Sequence, residues 1–256
     1  MKNLIITITC LLLTGKLFAQ QNKIVTSGKI EFEKRINLHA VAKNELGEGS
    51  FTEVYKQILA DYKSKTPQFG TLNSTLIFNN NKTLFTPLTP DKPINNFSGN
   101  PINKQFNTIY TDLTANSSVA QKEIYGDLFL VKDSVRKITW RLTDETQDVA
   151  GYTCRRANGL ILDSVYVVAF YTDRIWVSGG PESFSGLPGM ILKVALPHEN
   201  VVWTATKVTV EDIPPATILP PKKGEVINNK DLAAKLKVAM KNWGSAGPYE
   251  MKIYLL

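Results

Sequence analysis

Two histidines, one cysteine in mid-chain and a few carboxylate pairs are the residues whose types could carry covalent or acid–base chemistry, and their spacing does not assemble them. His39 and His198 are far apart, and neither sits in a metal-spaced motif such as His-Glu-x-x-His. Cys154 with a distant histidine offers a thiol nucleophile. On strand alternation it shares a face with Tyr152, and no helix N-terminus or acid–histidine pair is evident to activate it, so a small buried apolar side chain is the favoured reading. Ser134-Val135-Arg136-Lys137 fits Ser-x-x-Lys but lies in strand-like sequence without the partner motifs of penicillin-binding enzymes. Asp144-Glu145 and Glu211-Asp212 fall in turns or strand ends, where solvation accounts for them. There is no Gly-x-Ser-x-Gly, phosphate loop or dinucleotide fingerprint, and no catalytic residue, metal site or cofactor is expected. The better lead is aromatic. Trp140, Tyr152, Phe170, Tyr171, Trp176, Phe184 and Trp203 crowd one region; most suit a core, yet a curved sheet backed by a helix can hold an apolar cleft.

The elements that would position these residues are mostly strands. Ile30, Phe32, Lys34, Ile36 and Leu38 alternate with Glu31, Glu33, Arg35 and Asn37, a period of two. Phe51, Val54, Tyr55, Ile58, Leu59 and Tyr62 recur at helical spacing and predict an amphipathic helix over 51–64. Strands over 72–78 and 82–88 flank Asn79-Asn80-Asn81, a hairpin turn. Residues 89–107, rich in Pro and Asn without periodicity, read as a long surface loop. Further strands are predicted over 108–113, 122–132, 134–142, 152–157, 160–172, 175–178, 189–196 and 201–213. Asn158-Gly159 signals a hairpin, and 166–171 is apolar on both faces. After the proline connector at 214–221, Asn228 or Asn229 caps a helix over 230–242, and 249–256 reads as an edge strand.

Lys2, a short apolar run over 4–13 and Ala19 describe a secretory leader cut after Ala19. The run is too short to span a bilayer, which takes about 20 apolar residues. Cys10 lies inside that run without the small residues of a lipidation site. The expected mature chain, 20–256, is one exported domain without a transmembrane segment, in the periplasm or outside the cell, with outer-membrane association one form of this. Loss of Lys2 and Lys16 takes the net charge from +7 to +5. The basic doublets are scattered, and export argues against nucleic acid as a partner. Cys154 alone cannot form an internal disulfide, so an ordinary core must stabilise the fold.

The densest Gly/Pro stretch runs from Gly179 through Gly180, Pro181, Phe184, Gly186, Leu187, Pro188 and Gly189 into the apolar strand Met190-Ile191-Leu192. Pro188 fixes its own φ and keeps Leu187 out of the helical region, while Gly189 accepts a positive φ, so 187–190 suits a type II turn. This stretch resembles the signature of the GLPGLI family, exported bacterial proteins named for the sextet, with Met190 at the second leucine. Phe129-Leu130-Val131-Lys132-Asp133, Trp140, the turn 143–146, Gly151-Tyr152-Thr153-Cys154-Arg155-Arg156-Ala157 and Ala169-Phe170-Tyr171-Thr172 resemble its other motifs, in order, over 107–196. Phe170 stands where the family has tryptophan, and Trp176 where it has proline. The resemblance implies export but no activity, since the family has none established.

The expected fold is α+β: a curved, partly closed antiparallel sheet, half-barrel-like, with one helix in the N-terminal half and one near the C-terminus. The expected function is non-enzymatic binding of an envelope protein or an apolar small molecule. The candidate site is Gly180, Pro181, Phe184, Gly186, Leu187, Pro188 and Gly189, with Tyr171, Trp176 and Tyr152; geometry alone also explains the loop, as a rigid crossover. Two alternatives stand beside it: an envelope hydrolase or thiol enzyme using Cys154 or a serine, and a periplasmic lipid or lipopeptide carrier.

Overall fold

The alternation from Ile30 onward builds the strand at the middle of the sheet. β1 (Ser27–Asn37) buries Ile30, Phe32, Lys34 and Ile36 on one face, and it pairs antiparallel with β2 (Phe69–Asn79) on one side and β11 (Val201–Thr209) on the other. The computed structural model describes residues 24–46, 53–90, 100–103, 105–244 and 246–256. The leader expected over 1–19, Phe51 and most of the 89–107 stretch lie outside them.

The remaining strands are β3 (Lys82–Pro87), β4 (Thr108–Asp112), β5 (Ser117–Ile124), β6 (Asp127–Ser134), β7 (Thr139–Val149), β8 (Tyr152–Ile161), β9 (Val165–Thr172), β10 (Met190–Leu196) and β12 (Glu225–Ile227). They form one sheet of 12 strands in the order β12-β6-β5-β4-β3-β2-β1-β11-β10-β9-β8-β7, antiparallel except for the β12–β6 pair. Strands consecutive in the chain, β6 and β7, thus lie toward opposite ends of the sheet, joined only by residues 135–138. Such a link spans at most about 17 Å, so the sheet must curl until its two ends approach. The expected curved α+β sheet, open rather than fully closed, is what the chain forms.

The concave side is filled by helix α4 (Ala246–Leu255) and by the loop between β9 and β10. Earlier helices are α1 (Leu38–Leu46), α2 (Glu53–Lys65) and α3 (Asn229–Ala239). The α3 start is as expected: the Asn228 side chain accepts from Asp231 N at 2.8 Å. The Asn80-Asn81 hairpin also forms, with Asn80 left-handed at φ 49°. On α2 only Leu59 is buried, while Val54, Tyr55 and Ile58 face solvent, so its apolar stripe is not a core face.

Several expectations need correction, among them the strand expected over 175–178, which is only an isolated bridge at Ile175. Residues 249–256 are not an edge strand but the end of α4. Tyr249, Met251 and Ile253 alternate, but Tyr249, Ile253 and Leu256 are also spaced i, i+4, i+7, and the helical face is the one that turns Ile253 and Leu256 inward. Asn158-Gly159 is not a turn; β8 runs through it and reverses at Leu162-Asp163, both left-handed. Gly159 is there because Trp140 packs across it: a Cβ would stand 3.0 Å from the indole. The single strand expected over 122–132 is a hairpin turning at Tyr125-Gly126, with φ of 53° and 90°. Leu38 opens a helix instead of ending a strand. Finally, the described end of the 89–107 stretch is interior: Asn100, Pro101, Ile102, Asn103, Gln105 and Asn107 are buried. β9 buries Val165, Val167, Ala169 and Tyr171, but its other face is only half covered.

Candidate functional site

The loop between β9 and β10 is mostly a plug for the concave face. Gly180, Pro181, Phe184, Leu187 and Gly189 are buried, and only Gly186 and Pro188 reach solvent. Phe184 packs on Trp203 with ring centroids 6.0 Å apart, and burying it contributes on the order of 2 kcal/mol. Pro181 O accepts from Phe184 N at 3.2 Å, and Gly179 O from Ile191 N at 2.8 Å. Trp140 Nε1 donates to Ser185 O at 2.9 Å, tying the loop to β7. The 187–190 segment is not a type II turn. Gly189 N donates to Leu187 O at 2.8 Å while Met190 N leaves to bond Ile175 O at 3.1 Å, a three-residue turn centred on Pro188. The reason is packing: Gly189, at φ 141°, lies so close to β9 that a Cβ would sit 2.1 Å from Thr172 O.

The three aromatic candidates outside the loop lie in different settings. Tyr171 is buried in β9, Tyr152 is half-buried at the start of β8, and Trp176 stands 64% exposed beside the short Val25–Ile175 bridge. Cys154 is fully buried, its Sγ against Tyr152 O at 3.4 Å. Burial, and secondarily the Asp148 charge, pushes the thiol up to about 12, far from a thiolate at neutral pH.

What the loop does bring inside is charge. Glu182, left-handed at φ 50° and buried, accepts from Asn107 Nδ2 at 3.1 Å. Around it stand Lys34 on β1 and Lys122 on β5, both buried. Lys34 Nζ donates to Ile102 O at 2.9 Å, and Lys122 Nζ to Tyr254 O at 2.9 Å. Arg136, in the β6–β7 link, donates to Leu255 O at 2.5 Å and to Ser183 Oγ at 3.1 Å. Among the described residues no direct ion pair joins these groups. Burial raises the Glu182 carboxyl, with Lys34, Asn107 and Lys122 opposing. Burial lowers Lys34 against the pull of Glu182, and burial together with Arg136 brings Lys122 down to about 7. Lys122 and Arg136 converge on carbonyls at the C-terminal end of α4, the negative end of its dipole. Cluster and helix therefore hold one another in place.

The interior has little room. A cavity lined by Lys34, Glu182, Gln105 and Trp203 measures about 10 Å³, and one beside Lys122 and Arg136 about 30 Å³, space for a water or two. Outside, over α4, the situation differs. A groove of about 480 Å³ is lined by Pro101, Gln105, Phe106, Glu123, Tyr125, Gly126 and Tyr254. Its rim is aromatic: Tyr125 is 58% exposed, and its ring meets Trp243 at 5.4 Å and Tyr254 at 5.3 Å, edge to face. The Tyr125 hydroxyl donates to the Glu250 carboxylate. Partial burial and that carboxylate hold the phenol above its usual range. A tyrosine at a left-handed hairpin position, where Asn is favoured, is strained by on the order of 1 kcal/mol. Gln105 lines both the groove and the Glu182 cavity, so the loop lies one layer beneath the groove.

Sequence reasoning missed the groove because its residues come from three separate segments. The interior charges gave one signal: Lys34 sits on the apolar face of an otherwise regular strand. Tyr125 gave none, since tyrosine is not a turn residue.

The family model of a protein of unknown function (Porph_ging) matches residues 159–193, which include the Gly186-Leu187-Pro188-Gly189 turn. No curated protein matches the sequence. Among solved structures the chain is similar to PNGF-II in a C2 crystal form, at 15% identity and TM-score 0.50, covering 79% of this chain and 31% of that one. For PNGF-II in a P21 form the values are 16%, 0.49, 85% and 34%. An uncharacterized conserved protein from Thermus thermophilus shares 8% identity at TM-score 0.38, with 82% and 93% covered. The chain spans about a third of the length of PNGF-II, and at this identity the likeness is one of fold. What this chain shares with known proteins is the curved antiparallel sheet and, over residues 159–193, the signature of a family of unknown function.

Proposed function

We propose that this chain is an exported, non-catalytic binding protein of the bacterial envelope, of the GLPGLI kind, which takes an apolar or aromatic group of a small molecule or protein partner into the groove over α4. The observation that carries the reading is the 480 Å³ groove with exposed aromatic rings, beside an interior whose cavities hold no more than a water or two. A half-barrel of this shape would suit a lipid carrier if its concave face were open. α4 and the 179–189 loop fill that face, which weighs against an acyl chain inside. The thiol-enzyme alternative is disfavoured by the burial of Cys154 and its raised pKa. Export rests on the leader expected over 1–19, and among the described residues no helix is long and apolar enough to cross a membrane.

Photo-crosslinking in the native envelope tests the reading. A benzophenone side chain at Phe106 should capture a discrete adduct, whereas the same group at Trp176, also exposed but outside the groove, should not. Adducts at 176 with none at 106 would move the site away from the groove.

A further inference from the structure

The groove is apolar in its walls but not in its charge. Glu123 lines it directly, and Glu250 stands behind Tyr125 with its carboxylate against the phenol. Among the described residues neither carboxylate has an ion-pair partner. Phe106 and Tyr125 are exposed at the site, with Tyr254 below and Trp243 packed on the Tyr125 ring. A free carboxylate among aromatic rings is the arrangement that attracts a weakly hydrated organic cation. The ring faces supply quadrupole attraction, and the carboxylate supplies the countercharge.

The Glu250 hydrogen bond strengthens this by drawing the phenolic proton toward the carboxylate, which enriches the ring in electron density. The nearby buried cations do not line the groove. Lys122 points to the other side of β5, onto Tyr254 O, and Lys34 is bonded to Ile102 O.

Resting on the groove reading above, we infer that the group it recognises is an alkylammonium, of the trimethylammonium type, carried by a small molecule or a headgroup. Charge complementarity selects this occupant over a neutral apolar one.

The test compares choline with its neutral carbon isostere, 3,3-dimethylbutan-1-ol, by titration into the processed protein, read at the Trp243 indole N–H resonance and by calorimetry. Choline should bind about 5- to 10-fold more tightly than the isostere, and this preference should shrink as salt is raised. Glu123→Gln, an exposed change that leaves the fold intact, should weaken choline by about 3-fold and leave the isostere unchanged; Tyr125→Leu should weaken both. Equal binding of the two probes would overturn the cation assignment while leaving the groove as an apolar site. Failure of both probes to perturb Trp243 would overturn the assignment together with the groove. A trimethylammonium headgroup on vesicles and free choline separate the two sources: binding to both supports the shared chemistry, and binding to neither overturns it.

Discussion

At the scale of single residues, the chain separates positions fixed by contact from positions fixed by charge. Gly189 is fixed by contact. Gly189→Val should destabilise the fold by about 3 kcal/mol or more in urea melts, because a Cβ meets Thr172 O and φ is positive. Gly186→Ala, at an exposed position with only the Trp140 ring nearby, should cost about 1 kcal/mol. Lys122 is fixed by charge. Its folded pKa of about 7 lies below the ordinary lysine value of 10.5, so between these limits the unfolded chain binds the extra proton and stability rises with pH. Lys34, also lowered, acts in the same direction. The raised Glu182 carboxyl acts oppositely, from the ordinary glutamate value of 4.5 up to its folded pKa. Lys122→Met removes one such group, so the slope of stability against pH between 7 and 9.5 should flatten relative to wild type. An unchanged slope would mean that Lys122 is solvated. Lys34 was legible as a misfit on an apolar face. Glu182 was not, because nothing in Pro181-Glu182-Ser183 says that the loop turns inward.

At the scale of elements, legibility followed the length and regularity of the pattern. β1, the Asn80-Asn81 hairpin and the Asn228 cap were readable, since each is a local signal satisfied locally. α4 was not: a short run that alternates over 249–253 also fits a helix, and only burial in the assembled fold decides between them. Asn158-Gly159 misled because Gly159 answers to the Trp140 ring across the sheet rather than to its neighbours in sequence. α4 is also where Lys122 and Arg136 find their acceptors. Ile253→Ala should cost about 2–4 kcal/mol, and because it loosens α4 next to Tyr254, which lines the groove, it should also weaken any ligand read at Trp243. Loss of stability without loss of binding would detach the groove from the helix.

At the scale of the whole molecule, the short link between β6 and β7 forces the sheet to curl, and the curl creates a concave face that the chain fills with its own helix and loop. The Gly-Leu-Pro-Gly stretch is part of that filling, with Leu187 and Gly189 buried and Gly186 and Pro188 at the surface. The groove proposed for binding lies instead on the outer side of α4, where segments far apart in sequence meet. This is why the fold class could be read from periodicity while the groove could not. On the proposal of export, the processed chain should begin at Gln20, which N-terminal sequencing of the protein recovered from cells would show; retention of residues 1–19 would oppose that proposal.

The claim that the groove over α4 is the binding site is tested most directly by the four tryptophan indole N–H signals. Trp140 is bonded to Ser185 O, Trp203 is buried, Trp176 is exposed away from the groove, and Trp243 borders it against Tyr125. On adding a fraction of native envelope extract to the ¹⁵N-labelled protein, the Trp243 resonance should move while Trp176 stays in place. Movement of Trp176 with a stationary Trp243 would contradict the groove as the site.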